Sequence, residues 1–123
     1  MRAVLAVLVL TLAPALAQTD PAERLEGRWR LADDVSVQIG FARVAGGLVM
    51  NMLDGDEVAF GGPVTFPDGC GAYAAKSGET LLAVALEDVP DEPLCYRIDR
   101  LEADRLTLFF IPTGQALDYE RAR

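Results

Sequence analysis

Few side chains in this chain could do covalent or proton-transfer chemistry. Its 123 residues include no histidine. That removes the commonest general base, the usual metal ligand and the usual partner of a nucleophilic Ser or Cys. Ser36 and Ser77 lie outside any Gly-x-Ser-x-Gly context, and the sole lysine, Lys76, follows no Ser-x-x-Lys pattern. Paired carboxylates could act as acid and base in the manner of glycosidases. The candidates are Asp33/Asp34, Asp54/Asp56/Glu57, Glu87/Asp88 and Asp91/Glu92. All of them fall in turn-forming stretches, where solvated acids are ordinary. Asp54-Gly55-Asp56-Glu57 lacks the ligand spacing and closing Glu of an EF-hand, and Asp54-Gly55 is a favoured hairpin dipeptide. The residues thus predict no catalytic set, no metal site and no cofactor, and the expectation is a protein that is not an enzyme.

Cys70 and Cys95 are the only cysteines. They stand in no Cys-x-x-Cys spacing, and no histidine is present to complete a zinc set. In an exported chain an even count predicts a disulfide between them. Export is itself predicted by MRAVLAVLVLTLAPALAQ, with a cation at Arg2, an apolar run from Ala3 to Leu12, a breaker at Pro14 and Ala15-Leu16-Ala17 ahead of Gln18. The run is short for a bilayer span, which needs roughly 20 apolar residues. The expectation is a signal peptide over 1–17, cleaved after Ala17, and a single domain over 18–123 without membrane insertion, in the periplasm or secreted. Loss of Arg2 leaves ten cations against 19 acids. An acidic surface disfavours nucleic acid and anionic lipid, and leaves a cationic protein partner, or simple solubility, as its readings.

The elements that must carry these residues are short strands. In LEGRWRL, Leu25, Gly27, Trp29 and Leu31 share one face and Glu26, Arg28 and Arg30 the other. VSVQIGF repeats the pattern, with Val35, Val37, Ile39 and Phe41 inward. Further runs cover Gly47 to Leu53, Glu57 to Phe66, Ala72 to Ala75, Thr80 to Leu86, Leu94 to Leu101, Arg105 to Ile111 and Ala116 to Arg121. Turn formers separate them, and only Pro21 to Leu25 suggests a helical turn. Eight or nine short strands must hide their edges. A small antiparallel up-and-down β-barrel of about eight strands does so, with a two-sheet sandwich as the alternative. Phe60-Gly61-Gly62-Pro63 reads as a bulge, a barrel corner or a mouth loop.

Leu-x-Gly-x-Trp on a first strand resembles the lipocalin and calycin-type barrels, and LTLFFIPTGQALDYERAR resembles the final hairpin of small bacterial lipocalin-like domains. The resemblance implies that Trp29 packs across the closed end of the barrel, that Arg121 from the last strand covers its ring, and that Gly27 permits close approach. It also implies an exported, monomeric binding protein of the bacterial envelope, holding a small apolar ligand or nothing. Met50, Met52, Phe60, Phe66 and Phe109, with Leu48, Leu82 and Val84, are the candidate lining of such a pocket. The arm QTDPAER followed by LEGRWRL is similar to periplasmic inhibitors of secreted metalloproteases, although that family's bridge lies nearer the early strands. This resemblance implies inhibition of a protease, and the acidic surface adds a related expectation, binding of a cationic lytic enzyme by electrostatic steering. Docking on an envelope complex is the third expectation.

Overall fold

The structure, a computed structural model, describes residues 20–89 and 91–122. The expected export signal lies outside the described residues. The described residues open with a short helix, α1 (Pro21–Leu25), and continue through ten strands: β1 (Gly27–Leu31), β2 (Val37–Val44), β3 (Gly47–Asp54), β4 (Glu57–Thr65), β5 (Gly69–Cys70), β6 (Tyr73–Ala74), β7 (Leu81–Val84), β8 (Leu94–Leu101), β9 (Arg105–Phe110) and β10 (Gln115–Arg121). Eight of them close into a barrel in the order β1-β10-β9-β8-β7-β4-β3-β2. Every neighbouring pair in it is antiparallel. This is an up-and-down barrel, closed where Trp29 pairs with Arg121. Closure gives every strand of the ring a neighbour on both sides over at least part of its length, which hides most of the edge that a short-stranded sheet would otherwise expose.

Alternation places the core. Trp29, Ile39, Phe41, Leu48, Met50, Val64, Leu82, Val84, Tyr96, Leu106, Leu108 and Tyr119 fill the barrel interior. Trp29 alone removes roughly 200 Å² from water, a gross gain of about 5 kcal/mol before entropy is charged against it. α1 plugs one end with Ala22 and Leu25. Its start is set by Asp20, whose Oδ1 accepts from the Ala22 amide at 3.0 Å, and by Pro21 in the first turn. The helical turn expected over Pro21 to Leu25 is this helix, and Leu25, which the period-two pattern also grouped with the first strand, closes it. Its carbonyl accepts from Trp29 Nε1 at 2.9 Å. Val35, expected inward, stands 58% exposed in the loop before β2.

β5 and β6 form a separate two-stranded hairpin inserted between β4 and β7. The hairpin covers the outer face of the barrel, where Cys70, Leu81, Ala83 and Cys95 make a second small core against Tyr73, Ala75 and Ile111. β7 is consequently buried on both faces, which explains its unbroken apolar run Leu81-Leu82-Ala83-Val84.

Candidate functional site

At the α1 end, the Arg121 guanidinium lies over the Trp29 ring with its central carbon 3.9 Å from the ring centre. Its Nε donates to the Ala103 carbonyl at 3.0 Å, its Nη2 to the Arg24 carbonyl at 3.0 Å, and its Nη1 to the Glu26 carbonyl. Arg24 in turn donates to the Leu101 carbonyl. Gly27 has φ +117, and a Cβ there would sit 2.8 Å from Arg121 Nη1. Gly27, Trp29 and Arg121 therefore form one closed plug. The buried indole offers no surface on which a ligand could stack.

The candidate pocket residues do not come together. Met50 is fully packed in the core, and Met52 is partly buried against it. Leu48, Leu82 and Val84 are core residues too. Phe60 and Phe66 are exposed, at 43% and 36%. Phe60 pairs with Met52 beside a register shift between Met52 and Leu53, and Phe66 lies beyond the end of β4. Phe109 faces outward, with the Arg97 guanidinium 4.3 Å from its ring centre.

A recess lies instead outside the barrel, on the disulfide-stapled hairpin. The bridge joins Cys70 of β5 to Cys95 of β8 with the Cα atoms 5.9 Å apart. Beside it a groove of about 610 Å³ runs between the β5–β6 turn, the 91–93 stretch and the start of the β9–β10 connection. Tyr73, Pro93, Ile111 and Pro112 supply apolar walls, and the exposed Asp91 and Glu92 stand at its lip. A second set of contacts holds the hairpin. Tyr73 Oη donates to Glu79 Oε1 at 2.8 Å, Arg97 Nη1 donates to Tyr73 Oη at 3.3 Å, and Arg97 Nε donates to Asp99 Oδ1 at 2.6 Å. The Lys76 amide also donates to Glu79 Oε1 at 2.8 Å. That amide, and then the Tyr73 hydroxyl, hold the Glu79 carboxyl below the ordinary value.

Electrostatics distinguish the two ends. Opposite α1, the loops 32–36, 54–57 and 85–93 carry all the paired acids seen in the sequence and no basic residue. Arg28 reaches them from outside and lies 3.6 Å from Asp56. Among the described residues no three acids or cysteines gather as a metal set. No helix among them is long and apolar enough to cross a membrane.

Fold and groove define a class: a small closed antiparallel barrel carrying an external, disulfide-stapled hairpin. Compared with protein-family models, curated proteins and solved structures, the chain matches none.

Sequence reasoning missed the groove. Its signal was the short apolar run around Ala72 to Ala75, which reads as one more barrel strand when it is half of a covering hairpin.

Proposed function

We propose that this chain is an exported binding protein of the lipocalin-like kind that engages a polypeptide partner with cationic and apolar side chains through the outer groove. The observation that carries the reading is where the space lies. The barrel interior is occupied by its own side chains, while the 610 Å³ recess sits outside with Asp91 and Glu92 at its lip. A groove of that size has room for apolar side chains, and exposed carboxylates at its rim favour a cationic neighbour. The disulfide fits an oxidising compartment such as the periplasm or the exterior. Inhibition of a protease or of a cationic lytic enzyme would be a particular case of this reading.

Calorimetric titration with an amidated Lys/Leu hexapeptide tests it. Binding is expected to weaken by about tenfold in the D91N/E92Q double variant and to weaken at about 0.5 M salt. Native mass spectrometry of protein taken gently from its compartment supplies the opposing arm. A retained mass of a few hundred daltons that is released by Ile111→Trp would overturn the reading in favour of a small-molecule carrier.

A further inference from the structure

β4 runs for nine residues, yet only its last part is paired on the β7 side. Val64 and Thr65 pair with Val84 and Ala83, and the Pro63 carbonyl accepts from the Ala85 amide at 3.0 Å. There the seam opens. A Cβ at Gly62 would lie 1.7 Å from the Ala85 carbonyl oxygen, so only glycine lets the two chains touch at this point. β7 ends at Val84, and residues 85–89 leave without strand pairing. Among the described residues no backbone hydrogen bond joins 57–62 to 85–89.

The stretch is not covered by side chains either. Val58 and Phe60 are 58% and 43% exposed. A recess of about 220 Å³ separates Ala59, Phe60 and Gly61 from Leu86, Glu87 and Asp88. Leu86 packs against the barrel core and forms its floor.

We propose that this open edge of β4, Glu57 to Gly61, takes up an extended cationic segment of a partner protein as an added strand. An unpaired strand edge is a template for main-chain hydrogen bonding, and pockets beside it select alternate side chains. Here the recess receives one aliphatic side chain, while Glu57, Glu87 and Asp88 face the cationic side chains that flank it. Charge also selects the occupant. A second copy of this chain would set Glu57, Glu87 and Asp88 against their own equivalents, and like charges placed opposite one another across a strand pair are destabilising. The inference rests on the preceding reading in one respect, that the partner is a cationic polypeptide. Its contact surface is separate, lying along residues 86–88 of the loop whose 91–93 stretch forms the lip of the groove.

The test is amide hydrogen exchange on the whole exported protein, alone and with acetyl-Lys-Val-Lys-Val-Lys-Val-amide. The same peptide with alternate backbone nitrogens methylated serves as control. Exchange at Val58 to Gly61 is expected to slow by about tenfold with the first peptide and to be unchanged with the second. The protection is expected to fall severalfold in the E87Q/D88N variant. Protection confined to Gly71, Tyr73 and Cys95 would overturn strand addition and leave the groove reading standing. Protection at Val58 to Gly61 with the groove amides unmoved would uphold strand addition and count against the groove. Edge amides already protected in peptide-free protein that sediments as a dimer would make a second copy the occupant and overturn the proposal.

Discussion

Arg121 and Trp29 face each other across the strand pair that closes the barrel, the guanidinium carbon 3.9 Å from the ring centre. The contact joins the last strand to the first, and three carbonyls from α1, the 26 position and the β8–β9 turn fix the arginine in place. The Arg121 side chain thus ties the strand pair that closes the barrel to the helix that caps it.

Replacing Arg121 by alanine removes the cation–π contact and leaves those carbonyls to water. The expected loss is about 2–4 kcal/mol, from about 0.5–2 for the ring contact and the rest from charge-assisted hydrogen bonds. Lysine in its place keeps the charge but cannot spread donors over three directions, so R121K is expected to recover less than half of the loss. Urea unfolding followed by Trp29 fluorescence measures both.

Gly27→Ala is expected to cost about 1–3 kcal/mol, since φ +117 is strained for an L side chain and the new methyl would lie 2.8 Å from Arg121 Nη1. In G27A/R121A the steric part disappears and the backbone part stays. The double variant should therefore lose clearly less than the sum of the single losses. Additive losses in the same urea assay would show that the two residues do not share one site.

Removing the bridge by C70S/C95S opens a span of 25 residues. On the chain-entropy estimate this costs about 3.5 kcal/mol. The barrel order does not depend on the bridge, because β5 and β6 lie outside it. Far-ultraviolet circular dichroism should keep its strand signal while exchange in residues 69–79 rises more than in β9 and β10.

The barrel was legible because period two survives in most strands: Ile39/Phe41, Leu48/Met50 and Leu106/Leu108 alternate as a half-buried sheet requires. The plug at Gly27, Trp29 and Arg121 follows the lipocalin-type resemblance, since the motif residues sit on strands that the closure makes neighbours. The proposed pocket failed on three phenylalanines for separate reasons. Phe109 is out of phase with Leu106 and Leu108, a parity readable in RLTLFF itself. Phe60 keeps the face of its partner Met52 and of Val64, and is exposed because β7 pairs only the last residues of β4 and leaves this part of the strand uncovered. Phe66 sits past the strand end. The groove was hidden because it depends on the 66–79 segment folding back over β7 and β8. That is a tertiary contact between apolar faces which local pattern does not encode.

Glu79 predicts the acid limb of stability. The Lys76 amide and the Tyr73 hydroxyl depress its folded pKa below the unfolded value. Its contribution is therefore complete above the ordinary glutamate range and is lost as pH falls through the depressed value. Comparing E79Q with the parent by urea midpoints from about pH 7 to about pH 3 should show a gap that narrows as the pH drops. A gap constant with pH would assign the effect to packing of the hairpin.

Tyr119 predicts the alkaline limb, with the opposite sign. Burial raises its pKa in the fold, and the nearby Tyr96 raises it further by charge repulsion. An unfolded tyrosine ionises near about pH 10 while the folded one keeps its proton. Above that pH the native state binds more protons than the unfolded chain, so stability falls as pH rises. Tyr119→Phe retains the ring that packs in the core and removes the titration. Urea midpoints from about pH 8 to about pH 11 should therefore fall less steeply for Y119F than for the parent. Tyr96, also raised by burial, leaves part of the slope in place, and only the Y96F/Y119F double variant should flatten it further. An unchanged slope in that double variant would mean that these hydroxyls titrate normally in the folded barrel and that its interior admits water.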